Sequence, residues 1–167
     1  MRALGIGLDP LDVRLLDCLQ QDNLQTAEQL AERVGRSPSA VARRLRSLRA
    51  TGAVAADVSH VSDEAAGHPL FAVVHVQLDR HASSAWDLLR RRLIQSENVQ
   101  LCFEVSGVFD ILLLVVAADM EAYNAFADRM LADQPAVRRY ETSFVKRRSK
   151  ATLAVPLEQL LRAAAPG

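Results

Sequence analysis

Six consecutive apolar residues, Ile111-Leu112-Leu113-Leu114-Val115-Val116, constrain this chain more than any other feature. A strand with water on one face alternates apolar and polar residues; this run does not, so the strand it predicts must be covered on both faces. Leu70 to Val76 has nearly the same character. Around these two segments the periodicity predicts a strand over Leu70–Leu78 and a helix over Ser83–Gln95 with Trp86, Leu89 and Leu93 on one face. A strand over Val99–Val105, a turn at Gly107 and the strand Ile111–Ala118 follow. A helix over Met120–Ala132 carrying Tyr123, Phe126, Met130 and Leu131, then a strand over Val137–Val145, close the series. The order βαββαβ predicts an α+β fold of the ferredoxin-like kind: a four-stranded antiparallel sheet, first and third strands central, both helices on one face. Residues 98–102 and 136–140 follow their helices at matching places, a weak internal repeat. Two helices cover one face only, so a second subunit is expected on the other.

Upstream the period is helical. Thr26 with Gln29 reads as a capping box for a helix through Leu30, Ala31 and Val34, and Gly35 supplies a turn. Ser37 is a second N-cap with Pro38 at the first helical position; Val41, Leu45 and Leu48 form a buried stripe before Gly52 ends the helix. An earlier helix begins at Asp9-Pro10, with Leu8 placed to staple onto Val13 and with Leu11, Leu15, Leu16 and Leu19 as its stripe. This is the punctuation of a helix-turn-helix. Between Arg33 and Arg49 lie six arginines and no carboxylate, in a chain whose formal net charge is zero. An ordinary solvated helix face mixes signs, so the concentration points to nucleic acid. Ser39, Ala40 and Arg43 are expected nearest the bases in a major groove, Arg44, Arg46 and Arg49 on phosphates, and Arg36 and Ser37 at the DNA-facing turn.

The expected domains are a winged-helix-like unit over 1–53, a strand and linker over 54–69, the sheet domain over 70–150 and a tail over 151–167. Residues 53–61 read as a strand, and Ser62 to Pro69 break both periodicities. Without a long apolar run or a signal-peptide layout, a cytoplasmic protein with no membrane contact is expected. Cys18 and Cys102 lie far apart in apolar-periodic segments and read as free buried thiols. The histidines have no ligand spacing, and neither metal nor cofactor is expected.

The order of these motifs resembles the Lrp/AsnC family, or feast/famine regulatory proteins, over essentially the whole chain. Leu8-Asp9-Pro10-Leu11-Asp12 with Leu15-Leu16 resembles the family's opening helix. Leu30-Ala31, Val34-Gly35-Arg36-Ser37 and Arg43-Arg44-Leu45-Arg46-Ser47-Leu48 match its helix-turn-helix, and Gly52-Ala53-Val54 the exit to the linker. Ser106-Gly107-Val108-Phe109-Asp110 before an apolar strand resembles its Gly-x-x-Asp effector signature. The resemblance implies a sequence-specific regulator of transcription that binds double-stranded DNA, dimerises, assembles into a tetramer of dimers and takes an amino acid or related metabolite between subunits. Carried over by position, Ser106, Gly107, Val108, Phe109 and Asp110 would meet the effector, with Glu104, Glu141 and Thr142 near an adjacent interface.

The chain departs from the family in places. Asp22-Asn23-Leu24 replaces the usual Gly-Arg or Ala-Arg pair, and Leu24 is expected to pack on the helices. The tail, helical over 156–165 through Leu157, Leu160 and Leu161, is expected to pack on a neighbouring subunit or cover the sheet. Lys146, Arg147, Arg148 and Lys150 form a second basic patch, and Arg90-Arg91-Arg92 reads as a solvated face. Sirohaem decarboxylases share the two-domain layout and supply the alternative, an enzyme recruiting His68, His75 and His81. These histidines match no catalytic pattern, and the intact arginine face favours the regulator.

Overall fold

The computed structural model describes residues 7–79 and 83–164. Helices α1 (Pro10–Gln21), α2 (Ala27–Val34) and α3 (Pro38–Ala50) precede strand β1 (Leu70–Leu78), helix α4 (Ser83–Gln95), strands β2 (Val99–Glu104) and β3 (Ile111–Ala117), helix α5 (Met120–Met130), strand β4 (Val137–Phe144) and helix α6 (Leu157–Ala164). The chain forms two units, one ending at Ser59 and resuming at Ala151, the other spanning His60–Lys150. None of the helices described is long and apolar enough to cross a membrane.

The helical unit is built on local signals. Oδ1 of Asp9 accepts the amides of Leu11 and Asp12, each at 2.8 Å, while Asp12 Oδ2 accepts the Asp9 amide at 3.0 Å. Thr26 and Gln29 form the second capping box, Gly35 takes the left-handed conformation at φ 67°, and Ser37 Oγ accepts the Ala40 amide. The three apolar stripes meet in one core containing Leu15, Leu16, Leu30, Val34, Val41, Leu45 and Leu48. Cys18 lies in it as a buried free thiol, whereas Cys102 in the other unit is half-buried, its pKa raised by burial and then by Glu104.

Three expectations are corrected here. Residues 53–61 form no strand. Ala53 and Val54 pack on the helical core, Asp57 is drawn to Arg49, and the segment finds no ladder partner among the described residues. Leu24 is 92% exposed, because Asp22 Oδ1 accepts its amide in a tight turn that carries the side chain away from the core. Within the chain the tail joins the helical unit, where α6 packs on α1 and Leu157 packs against the helical core.

The second unit is the four-stranded antiparallel sheet, in the order β2-β3-β1-β4. β1 and β3 are central. Ala72, Val74, Val76, Ile111, Leu113 and Val115 face α4 and α5 and are buried with Leu89, Leu93, Tyr123 and Phe126. The alternate residues Val73, His75, Leu112, Leu114 and Val116 form the opposite face, are only half-buried, and are covered by no helix of this unit. Arg90 and Arg92 are not merely solvated. Arg90 Nε pairs with Glu104 Oε1 at 2.9 Å, and Arg92 braces the ends of α4 and α5 by donating to Gln134 Oε1 and the Arg129 carbonyl.

Candidate nucleic-acid interface and effector loop

Burial of Val41, Leu45 and Leu48 fixes the rotation of α3 and decides which arginines remain outside. Ser39, Arg43 and Arg46 are exposed and Ala40 half-buried, and neither Arg43 nor Arg46 has an ion-pair partner among the described residues. Arg36, on the preceding turn, is exposed and, among the described residues, donates its side chain to the Gly35 carbonyl. Ser37 spends its hydroxyl on the cap and lies 3.3 Å from the Ser39 hydroxyl. The first turn of α3 holds no acidic residue, so its amide end stays electropositive.

Two arginines of the same helix are held by carboxylates. Arg44 pairs with Asp9 through Nη2, and its Nε stands 3.2 Å from Asp12 Oδ1, an ion contact without hydrogen-bond alignment. Asp12 is 4% exposed, so Arg44 neutralises a buried charge that also helps cap α1. The Asp12 amide first, then Arg44 and the Leu11 amide, hold the Asp9 carboxyl below its usual range. Arg44, expected on phosphate, is thus half-buried and engaged with both carboxylates within the chain. Arg49 Nε bonds Asp57 Oδ2 at 2.7 Å, lowering the Asp57 pKa and raising its own.

In the sheet unit the loop between β2 and β3 carries the glycine signature. Val105 donates to the Asp110 carbonyl, Asp110 donates to the Val76 carbonyl, and Asp110 Oδ2 accepts the Leu78 amide at 2.8 Å. One carboxylate oxygen of Asp110 is thus already used in closing the sheet end. Gln77 Nε2 reaches the Val108 carbonyl at 3.3 Å. A methyl group on Gly107 would meet no atom within 4 Å, and Ser106 and Val108 are likewise exposed, so this stretch of backbone stands open. The Phe109 ring lies 5.2 Å from His75 and 5.4 Å from the Arg139 guanidinium, and Arg139 is 3.6 Å from Glu141 on the same open face.

The eight sequence-assigned effector residues do not converge. Loop residues Ser106 to Asp110 and Glu141 belong to one region. Glu104 and Thr142 fall on the helix-covered side, where Glu104 meets Arg90 and Thr142 is hydrogen-bonded to the Tyr123 hydroxyl. Burial raises the Tyr123 pKa, with the Thr142 bond opposing it. Three residues not assigned to the loop from the sequence, His75, Gln77 and Arg139, stand beside it; the β1–β4 register, pairing His75 with Glu141 and Gln77 with Arg139, brings them there. His68 sits in a turn at φ 55°, in a segment apart from His75, and His81 lies outside the described residues. In the second basic patch, Arg148 pairs with Asp63 and its guanidinium covers the Phe71 ring at 4.3 Å.

A helix-turn-helix head and a split βαβ sheet define a two-domain class in which the exposed arginines of α3 fit a DNA-binding head. The family model described as the AsnC-type helix-turn-helix domain matches residues 8–49, and that described as the Lrp/AsnC ligand binding domain matches residues 71–155. The chain is 40% identical over 158 residues to an uncharacterized HTH-type transcriptional regulator of Sinorhizobium fredii, covering 95% of this chain and 94% of that protein. It is 30% identical to the leucine-responsive regulatory protein of Escherichia coli, covering 84% and 86% of the two chains. The crystal structure of a transcriptional regulator from Neisseria meningitidis in complex with L-Met superposes with a TM-score of 0.84 at 31% identity, covering 92% of this chain and 99% of that one. The chain belongs to the Lrp/AsnC family, and is a DNA-binding transcriptional regulator with a ligand-binding domain rather than an enzyme.

Proposed function

We propose that this chain is a sequence-specific regulator that acts in the cytoplasm, dimerises through the open sheet face and answers to an amino acid bound beside the Ser106–Asp110 loop. The observation that carries the DNA assignment is the pair of exposed arginines on α3, Arg43 and Arg46, without carboxylate partners among the described residues in a chain of zero formal net charge. Arg43 with Ser39 and Ala40 reads base edges, while Arg36, Arg46 and, once released from Asp57, Arg49 hold phosphates. Ser37 sets the start of the reading helix. Symmetry in the dimer presents two such helices to related half-sites, and dimers join further into a tetramer of dimers.

Arg139 and Glu141 form a weak, half-exposed ion pair, so both charges are available to the carboxylate and ammonium of a free amino acid. The backbone at Gly107 is open to the same ligand, and the unused oxygen of Asp110 adds a second acceptor. The L-Met complex of the Neisseria protein supports this ligand class. Glu104 and Thr142 act in this reading through the sheet that carries the loop. Binding of the purified chain to DNA flanking its coding sequence, across a salt series and with or without a pooled amino-acid mixture, tests the proposal. A complex that weakens steeply with salt and shifts on adding the pool is expected. DNA affinity and oligomer size that ignore every amino acid would remove the effector half.

A further inference from the structure

We propose that the C-terminal tail is a working part of the DNA-reading unit, and that Gln20 is the positioning residue that clasps it to α1. Val155 donates its amide to Gln20 Oε1 at 2.7 Å, and Gln20 Nε2 donates to the Val155 carbonyl at 3.1 Å. The side-chain amide thus satisfies both backbone groups of one tail residue, as a neighbouring strand would. Two residues later Leu157 packs against the helical core, and α6 contacts α1.

What the tail holds is connected to what reads DNA. Helix α1 is gripped near its C-terminal end by the tail and at its N-terminal end by α3, whose Arg44 is seated on Asp9 and Asp12. Three short helices form a unit too small for a large core, so a fourth element on α1 stiffens the strut that bears the recognition helix. None of the tail contacts described involves Ser39, Arg43 or Arg46. The effect on DNA is therefore one of orientation. Long arginines follow phosphates through a small tilt, whereas base-edge contacts do not.

The experiment compares the wild-type chain, Gln20→Ala and a chain ending at Lys150. Each is titrated against a duplex enriched by the wild type from a random pool and against random-sequence duplex. Helical circular dichroism is followed at the assay temperature. For Gln20→Ala the preference for the enriched duplex falls about fivefold, the scale of two lost neutral hydrogen bonds. Binding to random duplex and the salt slope stay unchanged in both variants, Gln20→Ala keeps the helical signal, and truncation lowers the preference further while losing α6's share of that signal. A Gln20→Ala preference equal to wild type overturns the proposal even if the truncated chain unfolds. Equal weakening on both duplexes with a shallower salt slope also overturns it, since the tail would then be touching phosphates. Failure of the wild type to enrich any duplex would instead strike at sequence-specific binding itself, and so stands apart from both results.

Discussion

The two units solve the same problem in opposite ways. The helical unit closes most of its polar groups locally: both capping boxes and the glycine at the end of α2 satisfy groups within about a turn, and Arg44 returns from α3 to Asp9 and Asp12. The sheet unit buries one face under α4 and α5 and leaves Val73, Leu112, Leu114 and Val116 half-buried on the other. A unit of the first kind is specified by its own sequence. One of the second kind leaves a face that a partner could complete, and under the proposed dimer the contrast divides folding from assembly between two halves of one chain.

The sharpest way to break the contrast is a charge on the open face. Leu114→Glu is expected to convert the protein to monomers in sedimentation while each unit keeps its fold, because Leu114 lies outside the helix-covered core. Loss of the paired reading heads then lowers affinity for a two-site operator by about 100-fold or more. A variant that remains dimeric would show that another surface carries the interface.

Arg43 and Arg44, adjacent in sequence, sharpen the contrast within the helical unit. Arg44→Ala strands the 4%-exposed Asp12 without its cation. Because Arg44 is itself partly exposed, the expected loss is about 1–3 kcal/mol in denaturant melts, and adding Asp12→Asn recovers part of it. Arg43→Ala leaves the melt within about 0.5 kcal/mol of wild type. It blurs discrimination at one base position by about 1–3 kcal/mol, read in competition with mutated duplexes. Arg46→Ala is milder, weakening all sequences alike and reducing the salt slope by about one unit. If Arg44→Ala spared stability and Arg43→Ala did not, the division of labour along α3 would be reversed.

Legibility in the sequence follows the same line. Caps and stripes act over three or four residues, so Asp9, Thr26, Gly35 and Ser37 announce helix boundaries that the structure keeps. The doubly apolar β3 likewise announces a central strand. Contacts between distant residues leave no such mark. Arg44 to Asp9 spans 35 positions and Gln20 to Val155 spans 135, and neither has a spacing rule. The effector region was half legible: the glycine loop has a signature, but Arg139 reaches Phe109 only through the pairing of β1 with β4. Leu24 escapes a reading by hydrophobicity because the Asp22 turn controls its backbone.

Acid gives the smallest effect and tests the two units separately. Asp9, held by the Asp12 amide with Arg44 and Leu11 in support, and Asp57, held by Arg49, have carboxyl pKa values below their ordinary ones, and both belong to the helical unit. A depressed carboxyl contributes stability that is fully present above its unfolded value of about 4 and is lost as pH falls through the folded value. The change is therefore confined to the region below about pH 4, and it is modest because both groups are substantially exposed to solvent. The single tryptophan, Trp86, lies on α4, and both tyrosines, Tyr123 and Tyr140, are in the sheet unit, so aromatic fluorescence reports on that unit alone. On acidification, helical circular dichroism should begin to fall while Trp86 emission is still native, and Asp57→Asn, which lacks the stabilising charge at every pH, should weaken the pH dependence of the helical unit without delaying its loss. Coincident transitions in both signals would mean that the units unfold as one body, and that the local closure of the helical unit does not give it an independent stability.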